Sequence, residues 1–360
     1  MRTDWQGDKH CQTPVAVFAF DRPDHLKRLL SVLALVRPPL LLAVRDAPAF
    51  GASAQQRRRC EQVHRLLEAP GWTCEVLHHC SEVHRGSTRL DQAIDWVFEQ
   101  TSEAILLEDD LVPDPSFFRW CEAMLSRYRG DGEVLQISGR NPLGAWPCDG
   151  HDHHLVLLGS HLGAATWRDA WQRTRSAVLP ALSAASANWR TADPLVVRHL
   201  TLMREHLSGR CIAWDTLWQL QRTHLSGLVA IPPRNLVRLG GFDALASHTR
   251  NPMDLRATVS AGSAPPLCGS RHPPLNAELD RSSLLLDLLS THLDPAMARR
   301  LAQRPALLRD PLLRHHLMPF QLHRQTRAAL DVLRPWASFC QPIDHLKAEL
   351  STFAASVHTP

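Results

Sequence analysis

Three consecutive carboxylates follow a short apolar run within residues 104–113, Ala-Ile-Leu-Leu-Glu-Asp-Asp-Leu-Val-Pro. The run predicts a buried strand that ends at Glu108, Asp109 and Asp110. Adjacent acids repel one another and are costly to bury, so a divalent cation or a polyhydroxyl ligand would account for them at a strand end. Oxygen ligands favour Mg2+ or Mn2+, which usually complete their shells with substrate phosphates. The alternative is an acidic loop after an ordinary strand.

Length and composition limit the classes of protein that fit. The chain has 360 residues, of which 44% are hydrophobic, enough for one large core or two moderate ones. A net charge of +4 is too small to indicate nucleic acid as a partner. The basic run at residues 57–59 indicates a solvated helix face. Neither a signal peptide nor the ~18 apolar residues of a membrane helix is found, which predicts a cytoplasmic protein.

Strand and helix patterns alternate through the first half of the chain. Such alternation predicts a mostly parallel sheet flanked by helices, with ligands beyond the carboxyl ends of the strands. Asp21, Asp46 and the three acids fall at such ends, and Asp21 is also predicted to cap the first helix. The glycine-rich motifs of dinucleotide folds and P-loop enzymes are absent from the sequence, so neither class is supported.

Seven segments of the sequence belong together: VAVFAFDRPDHLKRLL, AVRDAP, STRLDQAIDWVFE, AILLEDDLVPDPSFFRWCEAMLSRYRGDGEVLQISGRN, GAATWRDAW, CIAWDTLWQ and NLVRLGGFDALASHT. They occur in the order and approximate spacing of GT-A-fold glycosyltransferases. With them the chain resembles the bacterial group related to the N-acetylglucosaminyltransferase that begins N-glycan branching, over about residues 13–250. The resemblance implies a GT-A-type α/β fold, that of a nucleotide-diphospho-sugar transferase.

The resemblance also implies a donor site. Arg22 and Asp46 match residues of the nucleotide pocket, where the acid reads the uracil edge. Glu108 and Asp109 match the acids that contact the ribose and the donor sugar. Asp110 matches the acid that binds the Mn2+ or Mg2+ ion bridging the diphosphate, where a cation offsets the charge on the departing group.

Two further residues take roles from the same resemblance. Asp215 matches the general base that removes a proton from the acceptor hydroxyl in inverting members, and the flanking Trp214 and Trp218 are expected to raise its pKa. The alternative for Asp215 is an N-cap of the helix at residues 216–222. His248 lies in a late segment that often closes over the nucleotide, and it is assigned to the metal beside Asp110.

These assignments predict a hexosyltransferase or N-acetylhexosaminyltransferase that uses a metal and inverts configuration. It would move a sugar from a nucleotide-sugar donor, UDP-linked, to a saccharide or other hydroxyl acceptor. Relatives carry W-G-W-A-T-W where residues 162–167 are Leu-Gly-Ala-Ala-Thr-Trp, a departure that indicates an altered acceptor or sugar preference. The alternatives are a catalytically silent nucleotide- or carbohydrate-binding module of the same fold, and a metal-dependent nucleotidyltransferase.

The sequence changes character after the seventh segment. Residues 1–250 are predicted to form the GT-A domain, and residues 251–274, rich in Pro, Gly and Ser, a linker or long loop. Residues 275–360 predict a helical C-terminal appendage of short, proline-punctuated helices. Its mixture of apolar and basic positions would suit either packing onto the catalytic domain or contact with a membrane surface.

Overall fold

The computed structural model of the protein describes residues 10–81, 84, 90–148, 150–177, 189–191, 193–207, 214–242, 260–267 and 272–290. The strands are β1 (Val15–Ala19), β2 (Leu40–Arg45), β3 (Glu75–Cys80), β4 (Glu103–Glu108), β5 (Leu111–Pro113), β6 (Val134–Ser138), β7 (His154–Val156), β8 (Ala164–Trp167), β9 (Leu228–Ile231) and β10 (Val237–Leu239). The helices are α1 (Pro23–Val36), α2 (Ala54–Glu68), α3 (Leu90–Gln100), α4 (Ser116–Arg127), α5 (Arg168–Ser176), α6 (Pro194–Leu207), α7 (Trp214–His224) and α8 (Ala277–Ser290).

An eight-stranded sheet forms the centre of the described part, in the order β3-β2-β1-β4-β8-β6-β9-β7. The first four of these strands are parallel to one another. Beyond β4 the sheet is mixed, because β8 runs antiparallel to both β4 and β6, and β7 runs antiparallel to β9. A separate two-stranded antiparallel sheet joins β5 to β10.

Both faces of the central sheet are covered by helices. Along β4, Ile105 and Leu107 belong to one apolar core, whereas Ala104 and Leu106 belong to the other. The first core also takes the buried side chains of α1 and α4, and the second takes those of α3 and α7. Burial on both sides explains why the strand sequences are continuously apolar instead of alternating. The predicted α/β class, a large sheet flanked by helices, is confirmed.

The change of direction in the strand order positions the candidate site. The chain passes from β1 outward to β2 and β3 and then returns to form β4 on the other side of β1. In open α/β sheets such a reversal leaves a crevice beyond the carboxyl ends of the two central strands. Register pairs Phe18 of β1 with Glu108 of β4, so the residues that follow both strands emerge side by side.

The beginning of the predicted appendage packs on the sheet. Leu275 forms a bridge with Leu155 of β7, and Leu279 and Leu284 of α8 are buried. The described part of the chain contains no helix with the length and apolar character needed to cross a membrane. The boundaries at 250/251 and 274/275 stay predictions, and residues 291–360, which hold most of the predicted appendage, lie outside the described residues.

Candidate active site

The guanidinium of Arg22 binds both aspartates that follow β4. Its Nη2 donates to Oδ1 of Asp109 at 2.7 Å, and its Nη1 donates to Oδ2 of Asp110 at 2.9 Å. Asp109 is 2% exposed, and its second oxygen accepts the backbone N–H of Phe20 at 3.4 Å. The adjacent ends of β1 and β4 therefore bring three of the predicted donor-site residues together.

A pair of glycines lies directly against this ion pair. The N–H of Gly240 donates to the carbonyl oxygen of Asp110 at 2.8 Å, just after β10 pairs with β5. A Cβ built on Gly241 would lie 2.0 Å from Oδ2 of Asp110 and 3.1 Å from Nη1 of Arg22. Only glycine permits this approach, a role that the sequence interpretation did not assign. The two adjacent glycines after the strand were the sequence signal that could have indicated such a close approach.

Negative charge is in excess at this edge of the sheet. Burial raises the pKa of Glu108, and the charges of Asp110, Asp109 and Asp215 raise it further. Burial also raises the pKa of Asp109 to about 6, although Arg22 opposes that shift. Because Asp215 acts on Glu108, the structure brings the predicted base to the same edge as the donor-site acids. One guanidinium balances only part of this charge.

Asp215 lies in the first turn of α7 and is held at both oxygens. Oδ2 pairs with Nε2 of His161 at 3.1 Å. Oδ1 accepts the N–H of Thr216 at 2.7 Å and its hydroxyl at 3.3 Å. An N-cap side chain would bond the N–H two or three residues on, so Asp215 is not making the cap bond that was the alternative for it.

The expected direction of the Asp215 pKa shift was wrong. Burial near Trp214 and Trp218 acts to raise the pKa, as expected, but the hydrogen bonds from His161 and Thr216 outweigh it and hold the pKa well below the usual range. Sequence reasoning missed His161, because the residue belongs to the loop between β7 and β8 and nothing local links it to α7.

A row of aromatic rings packs against His161. The ring centroids of His161 and Trp214 lie 5.3 Å apart in an edge-on contact, and those of Trp214 and Trp218 lie 5.7 Å apart in a stacked one. Trp218 in turn contacts Trp171 edge-on, with centroids 5.3 Å apart. Trp171 in turn donates from Nε1 to Asp95 of α3 at 2.7 Å. Trp214 and Trp218 are buried, so these rings serve as a rigid apolar wall for the loop and helix.

Asp46, the predicted reader of the base, follows β2 and is paired with a histidine. Nδ1 of His84 lies 2.8 Å from Oδ2 of Asp46, while the N–H of Ala47 donates to Oδ1 at 3.0 Å. The His84 ring also packs against Phe20 at 4.7 Å. Asp46, His84 and Phe20 thus form one polar and aromatic corner beside the Arg22 cluster.

Asp21 serves to hold α2 in place. Arg59 donates to Oδ2 of Asp21 at 2.6 Å and to its carbonyl oxygen at 3.0 Å, and Gln56 adds a bond at 3.3 Å. Two expectations were therefore wrong: Asp21 does not cap α1, whose N-cap is Arg22 without a side-chain bond, and Arg59 does not lie on a solvated face. Asp21 pairs with the half-buried guanidinium of Arg59 instead.

A divalent ion fits this edge only if the ligand supplies most of its shell. Within the described ranges no group of three or more His, Cys, Asp or Glu side chains converges on one point. Asp110 is half-buried, and among the described residues its Oδ1 has no hydrogen-bond partner. One carboxylate together with diphosphate and water oxygens is a common arrangement for Mg2+ and Mn2+. The second predicted ligand, His248, lies outside the described residues.

No protein-family model and no curated protein sequence matches the chain. Solved structures similar to it include the mannosyltransferase of Pyrobaculum calidifontis in complex with GDP-Man and Mn2+, with a TM-score of 0.34, 14% identity and coverage of 98% of this chain and 90% of that one. Residues 1–349 of TarS from S. aureus give a TM-score of 0.34, 9% identity and coverage of 93% and 83%.

CMP:2-keto-3-deoxy-manno-octonic acid synthetase in complex with CTP gives a TM-score of 0.32 and 12% identity, covering 61% of this chain and 89% of that one. At these scores and identities the likenesses carry no argument about function. The narrower group named from the sequence stays a prediction.

Proposed function

We propose that the chain is a glycosyltransferase that moves a sugar from a nucleoside diphosphate sugar to an acceptor hydroxyl. The observation that supports this most is that two acidic segments lie at the same edge of the sheet. Glu108, Asp109 and Asp110 follow β4, and Asp215 lies in α7, whose Trp214 and Trp218 pack in one apolar core with Leu106 of β4. Transfer between two oxygens needs one set of groups for the leaving diphosphate and another for the attacking hydroxyl.

The donor side of the proposed site contains Arg22 and Asp110. Asp110 would hold a Mn2+ or Mg2+ ion, and a bound ion would offset the charge that develops on the departing diphosphate. Arg22 presents a planar guanidinium, whose donors suit phosphate oxygens as well as carboxylates. Glu108 and Asp109 are assigned to the sugar and ribose hydroxyls, because carboxyl oxygens accept hydrogen bonds from such groups.

The acceptor side of the proposed site is the pair of Asp215 and His161. In an inverting transfer the acceptor oxygen attacks the anomeric carbon from the face opposite the diphosphate, and a base on that face takes the hydroxyl proton. Asp215 is the residue that the resemblance assigns to this step. Hexosyl or N-acetylhexosaminyl transfer from a UDP-linked donor, to a saccharide or another hydroxyl compound, is the form of the reaction we propose.

The decisive experiment is a screen of nucleotide sugars with manganese, with release of nucleoside diphosphate as the measurement. Asp110→Asn is nearly isosteric and should lower manganese-dependent release by about 10²-fold or more while leaving the melting temperature near that of the wild type. Asp24→Asn, an exposed aspartate of α1, is the matched control and should behave as the wild type.

Two outcomes would contradict the proposal. If nucleotide sugars bind but no diphosphate is released above the buffer rate, the chain is the catalytically silent binding module. If a nucleoside triphosphate is consumed with release of pyrophosphate, the chain is a nucleotidyltransferase. Unchanged activity and metal dependence in Asp110→Asn would remove Asp110 from the metal site alone.

A further inference from the structure

His161 and Asp215 form an imidazole–carboxylate pair on the acceptor side of the proposed site. Nε2 of the imidazole faces Oδ2 of the carboxylate at 3.1 Å. Both side chains are partly exposed, at 22% and 30%, so the pair is in reach of a bound molecule. The resemblance assigns no role to His161.

The hydrogen bonds around Asp215 make it a poor proton acceptor. Its two oxygens accept from three donors: the imidazole of His161 and the N–H and hydroxyl of Thr216. It also lies at the N-terminal end of α7, where the helix dipole favours a negative charge. Hydrogen bonds to the charged form stabilise it, and the pKa of Asp215 is accordingly held low. A base works best when its pKa is near the working pH.

The same contact fixes the tautomer of His161. Because Asp215 is an ionised acceptor, Nε2 of the imidazole carries the hydrogen of the bond between them. In the neutral ring Nδ1 is then the nitrogen with the free lone pair. Among the described residues Nδ1 of His161 has no hydrogen-bond partner.

The loop that carries His161 is fixed on both sides of the residue. Gln136 donates to the carbonyl oxygen of Ser160 at 2.7 Å, and the N–H of Gly139 donates to the carbonyl oxygen of Gly163 at 2.9 Å. Gly163 has φ +71, and a Cβ there would lie 2.8 Å from Val237, so glycine is required at this turn. With Trp214 against its ring, His161 has the preorganised position that a catalytic group needs.

From these contacts we propose that Nδ1 of His161 takes the proton of the acceptor hydroxyl, and that Asp215 orients the imidazole and stabilises the imidazolium. The proposal rests on the glycosyl transfer proposed above and revises the role predicted there for Asp215. The acceptor oxygen forms its bond to the anomeric carbon as its proton passes to Nδ1. The bond from that carbon to the β-phosphate oxygen breaks, the diphosphate leaves with the electron pair, and the imidazolium later returns the proton to water.

The groups that contact His161 suit an imidazole that gains a proton. Asp215 from α7 faces the imidazole directly, and its negative charge would stabilise an imidazolium. Among the described residues the other ring in contact with the imidazole is the uncharged indole of Trp214, which does not oppose that charge.

His161→Gln tests the proposal, because a glutamine amide can still donate to Asp215 but cannot take a proton. We expect kcat to fall by about 10²–10⁴-fold, with an unchanged KM for the donor. Added imidazole should partly restore the rate of His161→Ala. The matched control is His64→Gln, since His64 pairs with Glu68 at the same distance of 3.1 Å on α2, away from the site; it should leave the rate unchanged.

The outcomes separate this proposal from the one it rests on. If the wild type transfers sugar and His161→Gln does so within about tenfold of its rate, His161 is not the base and the function stands. If imidazole does not restore His161→Ala although the variant folds and binds donor, the proposal fails in the same way. If the wild type transfers no sugar across the donor screen, both proposals fall.

Discussion

Arg22 holds two carboxylates that would otherwise repel each other at the end of β4. Its two bonds, at 2.7 and 2.9 Å, use separate nitrogens of one planar group, a geometry that lysine does not offer. Since Asp109 is almost fully buried, the guanidinium is also its principal source of compensation. The ion pairs of Arg22 thus contribute to the stability of the fold as well as to the proposed reaction.

Arg22→Met should therefore destabilise the protein. The substitution keeps most of the apolar stem but leaves the charge of Asp109 buried without its partner, which we expect to cost about 2 kcal/mol, less than for a fully buried pair because Arg22 is 17% exposed. Urea denaturation at neutral pH measures the change. Arg28→Met, at an exposed position of α1, is the control, and equal midpoints for the two variants would show that the pair contributes no stability.

A second prediction at the residue scale concerns Asp46 and the nucleobase. Uracil presents an imide N–H that a carboxylate can accept, whereas cytosine presents an acceptor at that position, so UDP should bind about tenfold more tightly than CDP. Thermal-shift titrations of both nucleotides with manganese give the comparison. Asp46→Asn should remove the preference, whereas Asp24→Asn should keep it; equal affinities in the wild type would leave Asp46 as the partner of His84 alone.

At the scale of elements, the ends of the strands were readable from the sequence, but their neighbours were not. An apolar run followed by Glu108 marks the end of β4 locally, and the alternation of strands and helices predicts a mostly parallel sheet. The antiparallel insertion of β8 and the pairing of His161 with Asp215 depend on contacts between distant segments. Arg59 shows the same limit, because helix periodicity alone cannot reveal a carboxylate that approaches from another element.

Gly241→Ala tests how the end of β10 positions the acids. The added Cβ would lie 2.0 Å from Oδ2 of Asp110, so either the strand end or the ion pair with Arg22 must shift. Overpacking of this kind costs about 1–3 kcal/mol, and we expect donor affinity to fall by about tenfold or more because Asp110 is displaced. Gly262→Ala is the control, since nothing lies within 4 Å of its Cβ position. Unchanged nucleotide affinity in Gly241→Ala would mean that the site tolerates the shift.

At the scale of the whole molecule, α8 is tied to the loop that leads to His161. Both oxygens of Asp280 accept backbone N–H groups, from Leu157 at 2.7 Å and from Leu158 at 2.8 Å. Arg222 of α7 donates to the carbonyl oxygens of the same two residues at 2.7 and 3.2 Å. The segment at Leu157 and Leu158 is thereby held by both α7 and α8. Of these two helices, α8 begins after the predicted linker.

Asp280→Asn should lower stability by about 2–4 kcal/mol, because an amide accepts at only one of its two polar atoms and Arg222 loses its buried counter-charge. Burial raises the pKa of Asp280 to about 6, above its value in the unfolded chain. Between these two pKa values the folded state therefore binds a proton at Asp280 more strongly than the unfolded state does. The wild type should therefore lose part of its unfolding free energy as the pH rises from about 4 to about 6. Asp280→Asn should lack that slope in urea titrations, and Glu278→Gln, exposed on α8, should retain it; a slope unchanged by Asp280→Asn would assign it to other groups.

The strand order also determines when each part of the sheet can assemble as the chain is synthesised. All of β1 to β4 lies within residues 15–108, whereas β6 pairs first with β8 and then with β9 at Leu228–Ile231, and β7 must await β9 and also contacts Leu275. Long-range pairings of this kind fold slowly. Until β8 arrives, the apolar run before Glu108 is the open edge of a half-built sheet, and an apolar edge invites pairing with other chains. The segment that delivers the acids is therefore also where we expect newly made chains to need protection from aggregation.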